Sequence, residues 1–217
     1  MSLLAARTAY SRAEILSDRV IHISGVIVAL ISVPVLLFVT AHRRGDFLAL
    51  FGISVYSATL LAMILCSALY NLMGEGRWSW LLRRLDHAAI FAKIAGTYTP
   101  FMLLTGDGAP WLLTGLWGAA LTGIGLKAAS PEKFHRLAIC LYLAMGWAGL
   151  LAGGAFLTVL STPVLVLILL GGGLYTLGVA FYLFDRLPFH YTIWHFLVLT
   201  ATMMIYSAVT LQVVQTA

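Results

Sequence analysis

The sequence predicts an all-α integral membrane protein, a seven-transmembrane helical bundle, on three observations. The first is composition: of 217 residues, 61% are hydrophobic and only 10% are charged, whereas soluble domains carry about 25% charged and 45–50% apolar residues. The second is pattern, because seven apolar stretches, each near the roughly 20 residues that a bilayer-crossing helix needs, are separated by short polar breaks. The third is length: seven such spans use up the chain, so residues 1–217 read as one helical domain with no room for a second.

The first span is expected over Val20–Thr40. It is too long for a signal-peptide core and lacks a small-residue cleavage site, so it reads as a span rather than a removed leader. The break "HRRGD" precedes the second, Phe47–Leu72, and "GEGRWSW" precedes the third, Leu85–Thr105. "TGDGAP" leads into Trp111–Leu126, "ASPEK" into Arg136–Val159, "STP" into Val164–Phe184 and "DRLP" into Thr192–Val214. Pro110, Pro131 and Pro163 fall at helix starts, where a missing N–H costs little. Pro34 and Pro100 lie inside spans, where kinks are expected. The glycines of "GWAGLLAGG" and "GGGLYTLG" match no phosphate-loop spacing and read as close-packing faces. Cys66 and Cys140 lie in apolar runs and read as small core residues, not as a disulfide framework.

The net charge of +5 is spread over loops rather than gathered into a patch, which argues against a nucleic-acid partner. Arg7, Arg12, Arg19, Arg77, Arg83, Arg84, Lys127, Lys133, Arg136 and Arg186 fall on one side of the seven-span layout, Arg43 and Arg44 on the other. Cytoplasmic loops are rich in Lys and Arg, so the N-terminus is expected inside and the C-terminus outside.

That topology assigns a depth to each polar group. Asp18 and His22, four residues apart on the first helix, lie at its cytoplasmic end. Ser67 and Asn71, also four apart, close the second span at the same level; Asp86 and His87 open the third; Tyr191 and His195 open the seventh. Three readings fit: hydrogen bonds that hold the bundle together, a metal or catalytic site, or a proton or ion path. Lys93, seven residues after Asp86 on the same face, is expected to pair with it or to reach the same cavity. His87 points about 100° away from Asp86 and is expected to pack between helices. His42 and His135 read as solvated loop residues, and His190 as interfacial, just before the last helix.

At these residues the chain resembles a known family. "RRLDHAAIFAKIAGTYTPF" (Arg83–Phe101), "YTLGVAFY" (Tyr175–Tyr182), "IWHFLVL" (Ile193–Leu199) and "SDRVIHISG" (Ser17–Gly25) resemble the bacterial hemolysin III family. That family is related to the progestin and adipoQ receptors and more distantly to alkaline ceramidases. The resemblance implies a multi-pass protein of the bacterial inner membrane, linked to cytolysis or to membrane-lipid and energetic homeostasis. It also implies a zinc site built from SxxxH on the second helix and HxxxH on the seventh, with an Asp on the third. Such a site would suit hydrolysis of a lipid amide, with Asp86 and Ser67 as the catalytic pair. Here the pattern departs from the family's: Asn71 and Tyr191 stand where two of the histidines belong, and His195 remains. A lone imidazole is a weak zinc site, so His195 is expected to hydrogen-bond to Asp86 or Ser67. A rearranged zinc set of His22, Asp86 and His195 is the alternative, and a non-enzymatic receptor or ion conductor is the third reading. The partners implied are the bilayer and a lipid substrate or ligand.

Overall fold

The computed structural model describes residues 10–73, 76–106, 110–130, 134–151, 157, 158 and 160–217. Arg7, Pro131, Lys133 and the far end of the expected fifth span lie outside the described residues, as do parts of the second, third and fourth polar breaks. Seven long helices occupy the described residues: α1 Arg12–Arg43, α2 Phe47–Met73, α3 Ser79–Thr105, α4 Pro110–Ala129, α5 His135–Leu151, α6 Thr162–Leu183 and α7 His190–Gln215. Six of them are long and apolar enough to cross a membrane. The fifth is described over 17 residues, up to Leu151.

Helix α1 starts well before the expected Val20 because Ser11 and Glu14 form a capping box, each satisfying a backbone N–H of the other. The early start puts Asp18 in regular helix beneath His22. The same Glu14 accepts a 2.8 Å hydrogen bond from the backbone N–H of Phe189, whose φ of 59° turns the chain into α7. Ser17 Oγ lies 3.2 Å from Thr192 Oγ1, so the starts of α1 and α7 are tied side by side.

Packing rests on small residues at helix crossings, as expected where lipid is as apolar as the core. A Cβ added at Gly96 would lie 2.1 Å from Thr59 Oγ1, and one at Gly178 would lie 2.9 Å from the Trp194 ring. Tyr56, Phe91, Phe101, Leu36 and Leu60 fill the centre, while Phe38 (71% exposed) and Leu121 (65%) point outward. An outer belt of this kind is lipid-facing surface in a bundle whose backbone bonds close within helices. Pro34 and Pro100 stand inside α1 and α3.

At the end away from the polar cluster, Asp46 Oδ1 accepts from the Ala49 N–H at 3.0 Å and Oδ2 from Arg44 Nε at 2.9 Å. The Ala49 N–H, and after it Arg44, hold the Asp46 carboxyl below its ordinary range. Arg44 also donates to the Thr216 carbonyl, joining α1 to the end of α7.

Candidate metal centre

The starts of α1, α3 and α7 and the end of α2 meet around a cavity of about 240 Å³. Its wall includes His22, Ser67, Asp86, His87, Tyr191 and His195. On α7 the i, i+4 spacing of Tyr191 and His195 places both on the helix face that meets the cavity.

His195 does not bond to Asp86 or Ser67 as expected. Its Nδ1 lies 2.5 Å from Asp18 Oδ1, a contact between α7 and α1. His22 Nε2 stands 3.5 Å from Asp18 Oδ2, and the His22 and His195 rings meet edge to face with centroids 4.4 Å apart. One ligand atom from each of Asp18, His22 and His195 lies within 4.8 Å of the other two. His195 is therefore not a lone imidazole, and the acid of the cluster is Asp18 rather than Asp86. Both histidines are more than nine-tenths buried, and beyond its 3.5 Å approach to Asp18, His22 Nε2 makes no well-formed hydrogen bond. Zinc with three protein ligands at about 2.0–2.2 Å places their atoms roughly 3.3 Å apart. The observed spacing reaches that arrangement if the 2.5 Å His195–Asp18 contact opens by less than about one ångström and the wider pairs, within 4.8 Å, close by up to about 1.5 Å. The donor set of two imidazoles and one carboxylate thus fits a divalent metal.

Asp86 faces the cavity but is engaged by its neighbour, with His87 Nδ1 3.2 Å from Oδ2. This corrects the expected separation of the two: their Cβ atoms diverge round the helix, yet a carboxylate and an adjacent ring are long enough to curl together. Tyr142 donates to the His87 carbonyl at 2.9 Å and fixes that turn of α3. Asn71, at a family ligand position, donates to the Ser67 carbonyl of its own helix at 2.9 Å and is not part of the cavity wall. Tyr191 packs edge-on against His195, centroids 4.4 Å apart, and stacks on Tyr10 at 6.3 Å.

Three histidines differ from expectation. His190 is the first residue of α7 and buried, with Nε2 3.0 Å from the Tyr10 hydroxyl. His135 opens α5, half-buried, and reaches the cavity, whereas His42 is exposed as expected but ends a helix rather than sitting in a loop. Asp18 is the residue that site selection from the sequence left out. Its signal was present in the "DRVIH" spacing, which sets a carboxylate one turn from an imidazole.

Fold and site together define a helical membrane protein with a buried polar cluster at one end of the bundle. The chain matches the family model described as haemolysin-III related over residues 14–206, and it belongs to that family. It is 35% identical over 190 residues to a hemolysin-3 homolog of Bacillus subtilis (strain 168), covering 86% of this chain and 88% of the relative. It is 34% identical to a hemolysin-3 of Bacillus cereus over 193 residues, covering 87% and 88%. A human monocyte to macrophage differentiation factor is 28% identical over 168 residues, covering 71% and 67%.

Proposed function

We propose that this protein is a zinc-dependent membrane hydrolase acting on a lipid amide or ester held in its cavity. The observation that carries the reading is the Asp18–His22–His195 cluster at the edge of a largely apolar cavity, in which His22 Nε2 has only a long 3.5 Å contact to Asp18. A zinc ion held by these three residues would supply Lewis acidity and a water of lowered pKa. Asp18 would be the carboxylate ligand of the set, and the 2.5 Å contact it makes with His195 already brings the two side chains to one place between α1 and α7. Asp86 presents a carboxylate to the same cavity for proton transfer, and Ser67 adds a hydroxyl that positions water or substrate. The apolar walls exclude bulk water and match a lipid chain.

The test is elemental analysis of purified protein together with turnover of a lipid amide and a lipid ester before and after chelation. One zinc per chain and hydrolysis lost on chelation support the reading; no zinc and no turnover remove it.

A second reading follows from the relatives named hemolysin-3: a cytolytic protein without hydrolytic activity. Erythrocyte lysis by the chain that persists in a His195→Ala variant would favour it. The protein is oriented with its N-terminus in the cytoplasm, as the loop charges favour. A reporter fused after Ala217 is then extracytoplasmic and one inserted after Gly76 cytoplasmic; both on one side would overturn the orientation.

A further inference from the structure

Lys93 lies two turns along α3 from Asp86, about 10 Å deeper at 1.5 Å per residue, and is only 3% exposed. Its ammonium sits 4.5 Å from the centroid of the Tyr56 ring and donates to Thr97 Oγ1 at 2.6 Å. Neither partner carries a negative charge. Among the described residues no carboxylate lies within 4.0 Å of Nζ; the carboxylate ion pairs belong to His22, His87, His195 and Arg44. The hydroxyl of the same Tyr56 is buried without a hydrogen-bond partner.

A cation inside a span is expensive and usually faces a partner or a cavity. One neutral hydrogen bond and a ring face offset only part of the lost hydration. Lys93 lines the same cavity as the metal cluster, and around it the wall is apolar: Ile94, Tyr98, Phe101 and Ile205. We propose that Lys93 is the anchor of an anion-binding subsite, occupied by a single-chain amphiphile whose carboxylate or phosphate head pairs with the ammonium. Charge-assisted N–H···O bonds to such heads are the strong class. At about 240 Å³ the cavity is smaller than the roughly 300–1,000 Å³ of ordinary ligand pockets. A volume of that size accommodates a single chain. The subsite rests on Lys93 and does not require metal at the cluster.

The experiment uses the full chain in non-ionic detergent after chelation, with decanoate, decyl phosphate and decanol as probes sharing one tail. Isothermal titration should show decanoate or decyl phosphate binding at least tenfold more tightly than decanol, and the tighter of the two identifies the head. Lys93→Met should abolish the preference and Lys93→Arg should keep it. Lys93→Gln, which retains a donor for Thr97, replaces Lys93→Met if that variant does not fold. Equal binding of acid and alcohol by the native protein, or a preference surviving in the uncharged variant, overturns the proposal. So does a preference present only before chelation, which would assign the anion to the metal cluster. Because metal is absent throughout the main titration, failure here leaves the zinc assay of the hydrolase reading intact, and the reverse also holds.

Discussion

The polar end of the bundle has two halves, built from similar residue types to opposite effect. On the α1–α7 half, Asp18 and His195 are 177 positions apart in sequence and 2.5 Å apart in space. On the α2–α3 half, Asn71 bonds to the carbonyl four residues back on its own helix, and Asp86 to the next residue, His87. Donors that meet across an interhelical gap are arranged to hold something between helices. Groups engaged within their own helix leave the interhelical gap to others. The candidate metal cluster accordingly lies between α1 and α7, where Asp18 and His22 stand beside His195.

The largest effect that would break this contrast is loss of metal. Asp18→Asn and His22→Ala should each lower zinc content from one per chain to near zero, because two ligands rarely retain zinc. Asn71→Ala should leave it unchanged. Elemental analysis decides, and equal loss from Asn71→Ala would mean that both halves hold the metal.

A smaller effect should sharpen it. The Tyr191 and His195 rings are 4.4 Å apart, so Tyr191→His places a third imidazole beside the cluster. Zinc affinity should then rise by about tenfold or more, as a fourth protein ligand closes the site. Asn71→His alone should change affinity by less than about threefold, since that position is outside the cavity wall. Competition with a chromophoric chelator measures both. If Asn71→His proves the more effective, the metal site extends to α2 and is not confined to α1 and α7.

Acid should act next. Zinc needs its two imidazoles neutral, so binding is favoured above their titration and weakens as pH falls through it. The apparent dissociation constant should rise as the medium is acidified, by up to about a hundredfold per pH unit where both imidazoles take up a proton as zinc leaves. His22→Ala should flatten any residual slope toward one proton. A native slope of one would leave only one of the two histidines as a ligand.

Much of this architecture was legible in the sequence, and the parts that were not have physical reasons. The seven apolar stretches and the gathering of polar residues at the ends of α1, α2, α3 and α7 follow from hydropathy and i, i+4 spacing. The partner of His195 could not be read that way, because a helical wheel places Asp18 and His22 on one face of α1 without saying which helix that face meets. The capping box at Ser11 and Glu14 was a readable start signal, and it lengthens α1 enough to bring Asp18 into register with α7. The Asp86–His87 contact escaped because side-chain reach is not encoded in the angle between Cα–Cβ vectors. The buried Lys93 was correctly placed at the cavity, yet the expected pairing with Asp86 fails across two helical turns.

The smallest effect belongs to the opposite end of the bundle, where polar groups serve only to fasten helix ends. Asp46 accepts from the Ala49 N–H at the start of α2 and from Arg44, and both contacts hold its carboxyl below the ordinary value. A carboxyl depressed in the folded state stabilises that state above its unfolded titration range, and the contribution is lost as pH falls through the folded value. Asp46→Ala should therefore lower the thermal midpoint at pH 7 by no more than about 2 °C, the scale of one exposed cap in a chain of this size. The difference between native and variant should shrink as the medium is acidified below the carboxylate range, and zinc content should not change at all. Thermal unfolding in detergent across pH, with elemental analysis on the same samples, checks both statements. A difference that grows in acid would reverse the sign of the Asp46 contribution. Loss of zinc from Asp46→Ala would show that the two ends of the bundle are coupled through α1, and the contrast between site-forming and end-fastening polar groups would fail.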